Sequence, residues 1–163
     1  MRAILTIAAA LAWLAAAVLG ASADERWATY VNDRFGTSLT YPADVFAMQP
    51  PPENDDGRTL AAADGATILV FGGANVANDT VASKRASLGG LDYAFTTYRA
   101  TGKDWFVVSG RRAIGGVDSI FYEKYIVSAA SKTIHSLIVT YPAALEARYD
   151  PIVDRLAASF AGP

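Results

Sequence analysis

"WFVVSGRRAIGGVDSIFYEKYIVSAASKTIHSLIVTY", residues 105–141, sets the architecture of the chain. Three runs rich in Val, Ile, Phe, Tyr and Thr are separated by "AIGGV" and "SAASK", both of turn composition, so the segment reads as successive antiparallel strands. Adding "DYAFTTYRA" (92–100), set off by "TGKD", predicts a meander of four long strands between Leu91 and Tyr141. Seven or eight residues of strand reach about 25 Å at ~3.3 Å per residue. The run beginning at Trp105 is apolar on both faces, with Trp105 and Val107 on one and Phe106 and Val108 on the other, as expected of a strand covered on both sides.

The loop lengths also fix which side chains meet. If "SAASK" closes a four-residue loop from Ala129 to Lys132, Val127 pairs near Ile134 and Lys124 falls opposite Leu137, on the face that carries Tyr122 and His135. A similar register across "AIGGV" brings Trp105 near Lys124, where cation–π attraction is worth about 0.5 to 2 kcal/mol. Lys124, His135, Tyr122 and Ser109 then form a candidate polar pocket. The plainer alternative is that these side chains end in solvent or at a helix terminus. A second candidate surface joins Arg111 and Arg112 to Arg99 and Lys103 near the strand turns. Paired arginines grip carboxylate or phosphate, but such rims are commonly just solvated.

Before the meander, "ERWATYVNDRFGTSLTYPADVF" (25–46) predicts a β-hairpin ending at Pro42, with Asn32, Asp33 and Gly36 in its turn. "PPPENDDGRTL" (50–60) looks like a calcium loop but fails the spacing: with Gly57 at the glycine position, Pro52 and Ala63 stand where oxygen ligands belong. It reads instead as a surface connection, extended through Pro50–Pro52 and turning at Asp56-Gly57. Asp64-Gly65 marks a second hairpin, whose apolar run Ile68–Phe71 predicts a strand covered on both faces. "NDTVASKRASLGG" (78–90) predicts a short helix capped by Asn78 or Asp79 and ended by Gly89. Gly72-Gly73 and Gly89-Gly90 lack the spacing of phosphate loops. Near the end, Leu145, Tyr149, Ile152, Val153, Leu156 and Phe160 recur at helical spacing, with a kink or restart expected at Asp150-Pro151.

The first 23 residues, "MRAILTIAAALAWLAAAVLGASA", carry one basic residue, an apolar run and Ala21-Ser22-Ala23, the pattern of a secretory signal cleaved after Ala23. An uncleaved, membrane-tethering anchor is the alternative. Cleavage leaves residues 24–163 as one domain, expected to be exported and periplasmic. Without Arg2 the chain holds 13 basic against 16 acidic residues, a net charge of −3, which speaks against nucleic acid as a partner. There is no cysteine, so neither disulfides nor thiolate metal clusters arise. His135 is the sole histidine, too few for a zinc site, and no G-x-S-x-G motif accompanies it. No cofactor or metal is indicated.

Trp27-x-x-Tyr30, Phe35-Gly36-x-Ser38-Leu39-x-Tyr41-Pro42, Tyr122-x-Lys124 and the closing Tyr149-Asp150-Pro151-Ile152-Val153-x-Arg155-Leu156-x-x-Ser159-Phe160 together resemble the PsbP-like family, exported or lumenal proteins related to the extrinsic photosystem protein PsbP. The likeness covers most of residues 27–160. It implies an antiparallel sheet with helices on both faces, and a non-enzymatic binding or assembly role. The metal- and partner-binding residues of PsbP match no positions here, so none is carried over. The sequence therefore predicts an α+β fold, a single-domain α/β/α sandwich around a twisted, mainly antiparallel sheet. The expected role is that of a non-catalytic periplasmic module holding an envelope protein or small ligand, with Lys124, His135, Tyr122, Ser109 and Arg111 as candidate ligand-binding residues. The competing class is a hydrolase-type or other enzyme centred on Lys124 and His135.

Overall fold

The computed structural model describes residues 25–88 and 95–163. The predicted signal segment, the expected stop at Gly89 and the first residues of "DYAFTTYRA" lie outside them. The chain runs β1 (Trp27–Val31), β2 (Ser38–Pro42), β3 (Ala47–Met48), β4 (Gly57–Ala61), β5 (Thr67–Ala74), α1 (Val81–Ser87), β6 (Thr96–Thr101), β7 (Trp105–Ile114), β8 (Val117–Ser128), β9 (Thr133–Pro142) and, after a short 3-10 turn, α2 (Glu146–Ser159). β1 and β2 pair only with each other, while the other strands form one antiparallel sheet in the order β3-β4-β5-β9-β8-β7-β6.

The meander is present, with sequential neighbours from β6 to β9. β8 and β9 pair in the expected register, Val127 opposite Ile134 and Lys124 opposite Leu137. The turn between β7 and β8 is tighter than "AIGGV" implies. Only Gly115 and Gly116 stand outside the strands, at φ 58° and 82°, the left-handed values a two-residue hairpin turn demands. Val107 therefore faces Lys124, and Trp105 faces Ile126 one pair further on.

Two helices cover opposite faces of this sheet. The α2 stripe of Tyr149, Ile152, Val153 and Leu156 joins Ile68, Val70, Leu137, Val139 and Tyr141 of the sheet and Leu39 of β2 in the main core. On the other face, Val81 and Leu88 pack on a smaller cluster of Phe106, Val108 and Tyr125. Burying each such side chain contributes about 1.5 to 3 kcal/mol. A clasp at the β4–β5 turn fixes the start of α2. The Tyr149 hydroxyl donates to the Asp64 carboxylate at 2.7 Å and Arg148 pairs with it at 2.8 Å. Burial alone would raise the Asp64 pKa, but these partners and the Ala66 N–H hold it below the usual carboxylate value.

Four local expectations are corrected. Ile68 and Val70 are fully buried, but Leu69 is 38% exposed, because α1 packs chiefly on β7 and β8. The helix cap is Thr80, whose Oγ1 accepts from the Ser83 N–H while the Ser83 hydroxyl accepts from the Thr80 N–H. Asn78 and Asp79 belong to the preceding loop, which the Asn75 side chain closes by bonding both the N–H and C=O of Asp79. α2 runs unbroken through Pro151, and Asp150 accepts the Tyr141 hydroxyl at 2.9 Å instead of capping a new helix. Finally, Gly57 opens β4, and the turn falls earlier, at Asp55 (φ 48°). That turn is drawn onto the first hairpin by Asn32, which donates to the Asp55 carbonyl at 2.9 Å, and by Arg34, which donates to the Asn54 carbonyl.

Candidate docking groove

Lys124, His135, Tyr122 and Ser109 share the α2 face of the sheet, as the register requires. The fold then divides them into three environments. The Lys124 ammonium donates to the Ala157 carbonyl at 2.7 Å, in the last turn of α2, and lies over the rings of Trp105 (5.7 Å) and Phe160 (6.0 Å). A cation is favoured at a helix C-terminus, where carbonyls lack partners. Burial lowers its pKa.

His135 is fully buried. Nδ1 lies 2.8 Å from the Thr37 hydroxyl and Nε2 lies 2.8 Å from the Thr133 hydroxyl, so either tautomer is satisfied on both sides. Gly162 crosses directly over the ring: a Cβ there would stand 2.2 to 2.4 Å from the imidazole atoms. The C-terminal residues are held in this position by the Ala161 bridge to Ser38 and by the Ser131 hydroxyl, which donates to the Pro163 carbonyl. Burial lowers the His135 pKa. With both nitrogens committed to threonines, the ring ties together the turn before β2, strand β9 and the chain end and has no nitrogen left for proton transfer to a ligand.

Ser109, Tyr122 and Arg111 lie elsewhere, along an open groove. Among the described residues α2 packs chiefly on β2, β9 and β8, and no described helix covers the same face of β7 and β6 around Ser109 and Tyr98. Two adjoining cavities of about 330 and 320 Å³ share Ser109, Tyr141 and Asp150, and together form the groove. Its sheet floor holds Ser109, Tyr122 and Tyr141, and its outer wall carries Tyr98 of β6, opposite Ser109 and 55% exposed. Glu146, Asp150 and Asp154 line the helix side. Ser109 donates to the Phe121 carbonyl at 2.8 Å. Arg111 is paired with Asp118 through both carboxylate oxygens, an exposed pair that raises the arginine pKa and lowers the aspartate's. Tyr122 is pushed up to about 12, first by burial and then by Tyr98 and Asp154. Tyr141 is raised as well, by burial and by its bond to Asp150. Both phenols therefore stay protonated, and the groove presents hydroxyl dipoles, aromatic faces and carboxylates.

The acidic side of the groove had a sequence signal. Residues 146, 150 and 154 recur every four positions on the predicted helix, one turn apart, on a stripe beside the apolar one. Tyr98 had none, since an aromatic on a predicted strand reads as core. Arg99 and Lys103 do not line the groove, and Arg112 stacks over Phe121 on the opposite face (4.8 Å). A larger cavity of about 610 Å³ lies where the loops gather at one end of the sheet, with Lys103 and Lys132 balancing Asp79 and Asp104. Another, of about 380 Å³, lies beside Pro50 and Pro52 against Leu69 and Phe71. Among the described residues, no group of three or more His, Cys, Asp or Glu is placed to hold a metal ion. No helix there is long and apolar enough to cross a membrane.

No family model matches this sequence and no curated protein matches it. Solved structures do. The solution structure of cyanobacterial PsbP (CyanoP) from Synechocystis sp. PCC 6803 superposes with a TM-score of 0.61 at 10% identity, covering 88% of this chain and 96% of that one. LpqN of Mycobacterium tuberculosis, described as involved in cell envelope biogenesis, gives 0.56 at 12% identity over 84% and 90% of the two chains. The Ran-binding protein Mog1p of Saccharomyces cerevisiae gives 0.55 at 10% identity over 84% and 95%. At such identities the likeness is one of fold.

Proposed function

We propose that this chain, PsbP-like in fold, is a non-catalytic binding or assembly module of the periplasm that holds a protein partner in the groove between α2 and β6–β8. The observation that carries this reading is the groove that α2 leaves open over β6 and β7, among the described residues. A large aromatic, Tyr98, is more than half exposed on an edge strand beside a groove already lined with tyrosines. Exposed aromatics flanked by polar groups are what protein interfaces use as anchors. Mog1p is described as a Ran-binding protein and LpqN as involved in cell envelope biogenesis, so neighbours of this fold include a protein binder and a participant in envelope biogenesis. The apolar leader ending in Ala21-Ser22-Ala23 supports export, with residues 24–163 as the mature domain.

Affinity capture of the full-length chain from its native cell envelope tests this. The expected result is a partner retained at near-equal amounts by the wild type and lost on Tyr98→Ala, with the melting temperature unchanged because Tyr98 is exposed. The captured chain should have the intact mass of cleavage after Ala23. Recovery of the same partner by both proteins refutes the groove as the docking site. A retained leader refutes the free periplasmic form in favour of a tethered one.

A further inference from the structure

We propose that the segment docking in this groove is extended and basic, presenting Lys or Arg side chains to the α2 wall. The inference rests on the docking reading above and adds the chemistry of the partner. Open sheet face and helix flank meet here, and the charge along the helix flank has one sign. Glu146, Asp150 and Asp154 stand one turn apart, and like charges at that spacing repel by a few tenths of a kcal/mol per pair. The lining cation, Arg111, is paired with Asp118 and also feels the Glu146 carboxylate, so it offsets Glu146 only in part and leaves Asp150 and Asp154 facing the open groove. The Tyr141 hydroxyl binds Asp150 without neutralising it. A cation entering from solvent relieves this repulsion. It also meets the faces of Tyr98 and Tyr122, and aromatic faces attract ammonium and guanidinium groups.

Shape favours an extended segment. The groove runs between Tyr98 of β6 on one side and Glu146, Asp150 and Asp154 of α2 on the other, and the side chains of an extended segment lying along it alternate, so every second residue faces the α2 wall. An acidic or neutral segment gains neither the charge relief nor the aromatic contact.

The test is an NMR titration of the mature chain with the capped peptide Ala-Arg-Ala-Arg-Ala, beside its Glu and Gln counterparts. The arginine peptide is expected to shift resonances of Tyr98, Ser109, Tyr122 and Asp154 and to leave Leu69 and Val76 unmoved. Its affinity should fall about fivefold in the Glu146→Gln/Asp154→Asn double variant, as for two exposed charge contacts, and should weaken with added salt. Both substituted side chains are exposed, so an unchanged melting temperature separates lost binding from lost folding. Equal binding of the glutamine peptide, shifts centred on another surface, an undiminished affinity in the double variant, or no binding at millimolar peptide overturns the proposal. If the arginine peptide fails while the envelope partner is still lost on Tyr98→Ala, the charge assignment falls and the docking site stands. If the peptide binds the groove but no partner is captured, the docking reading falls instead.

Discussion

His135 shows how one side chain acquires its role from residues far along the chain. Thr37, which bonds Nδ1, is 98 positions away, and Gly162, which roofs the ring, comes from the chain end. The position of His135 on its strand face was legible, because the four-residue loop before it fixes the register. Its partners were not, because nothing local to β9 announces them. The neutral ring suits this site, and burial depresses its pKa below the ordinary 6.5. Its contribution to stability is therefore whole above about pH 6.5 and is lost as pH falls through the lower folded value, since the unfolded chain takes up the proton first. The lowered carboxyls of Asp64 and Asp118 act near and below 3.8, beneath the pH range over which the His135 effect sets in. Melting temperatures from pH 8 to 5 should decline below 6.5 in the wild type and stay nearly level in His135→Gln. Parallel declines in both proteins would place the sensitivity elsewhere.

Among the elements, α2 departs most from its sequence signals. Asp150-Pro151 has the composition of a helix start, yet the helix begins at Glu146 and passes through the proline. Tyr149 before the proline and Ile152 after it both lie buried on the sheet, so a break would forfeit the packing of one or the other. That burial offsets the hydrogen bond Pro151 cannot donate. Pro151→Ala restores the donor on an exposed position and should raise the urea-unfolding free energy by about 1 to 3 kcal/mol. A loss of stability would mean that the ring's rigidity matters more than the missing bond. The strands were easier to read: their turns are short and their side chains alternate, so both hairpins and the meander follow from composition. The free face of β5 was not, because an apolar run looks the same whether one or both faces are covered.

At the level of the whole molecule, two helices of unequal length cover a seven-stranded sheet unevenly. The α/β/α arrangement and the PsbP-like fold were readable from the order of elements and a few spaced motifs. Where the cover stops was not, since it depends on which strands α2 crosses, a distance that sequence spacing does not encode. Ser109, Tyr122 and Arg111 consequently fall on one groove while Lys124 and His135 fasten the scaffold around it. The groove beside β6 and β7 is the docking site proposed for a partner. Its most direct test is photo-crosslinking in the native envelope, with a benzophenone amino acid placed in turn at Tyr98, Leu69 and Val76, all exposed. A single discrete adduct is expected from position 98 and none from the other two; an adduct from Leu69 or Val76 with none from Tyr98 would overturn the proposed site.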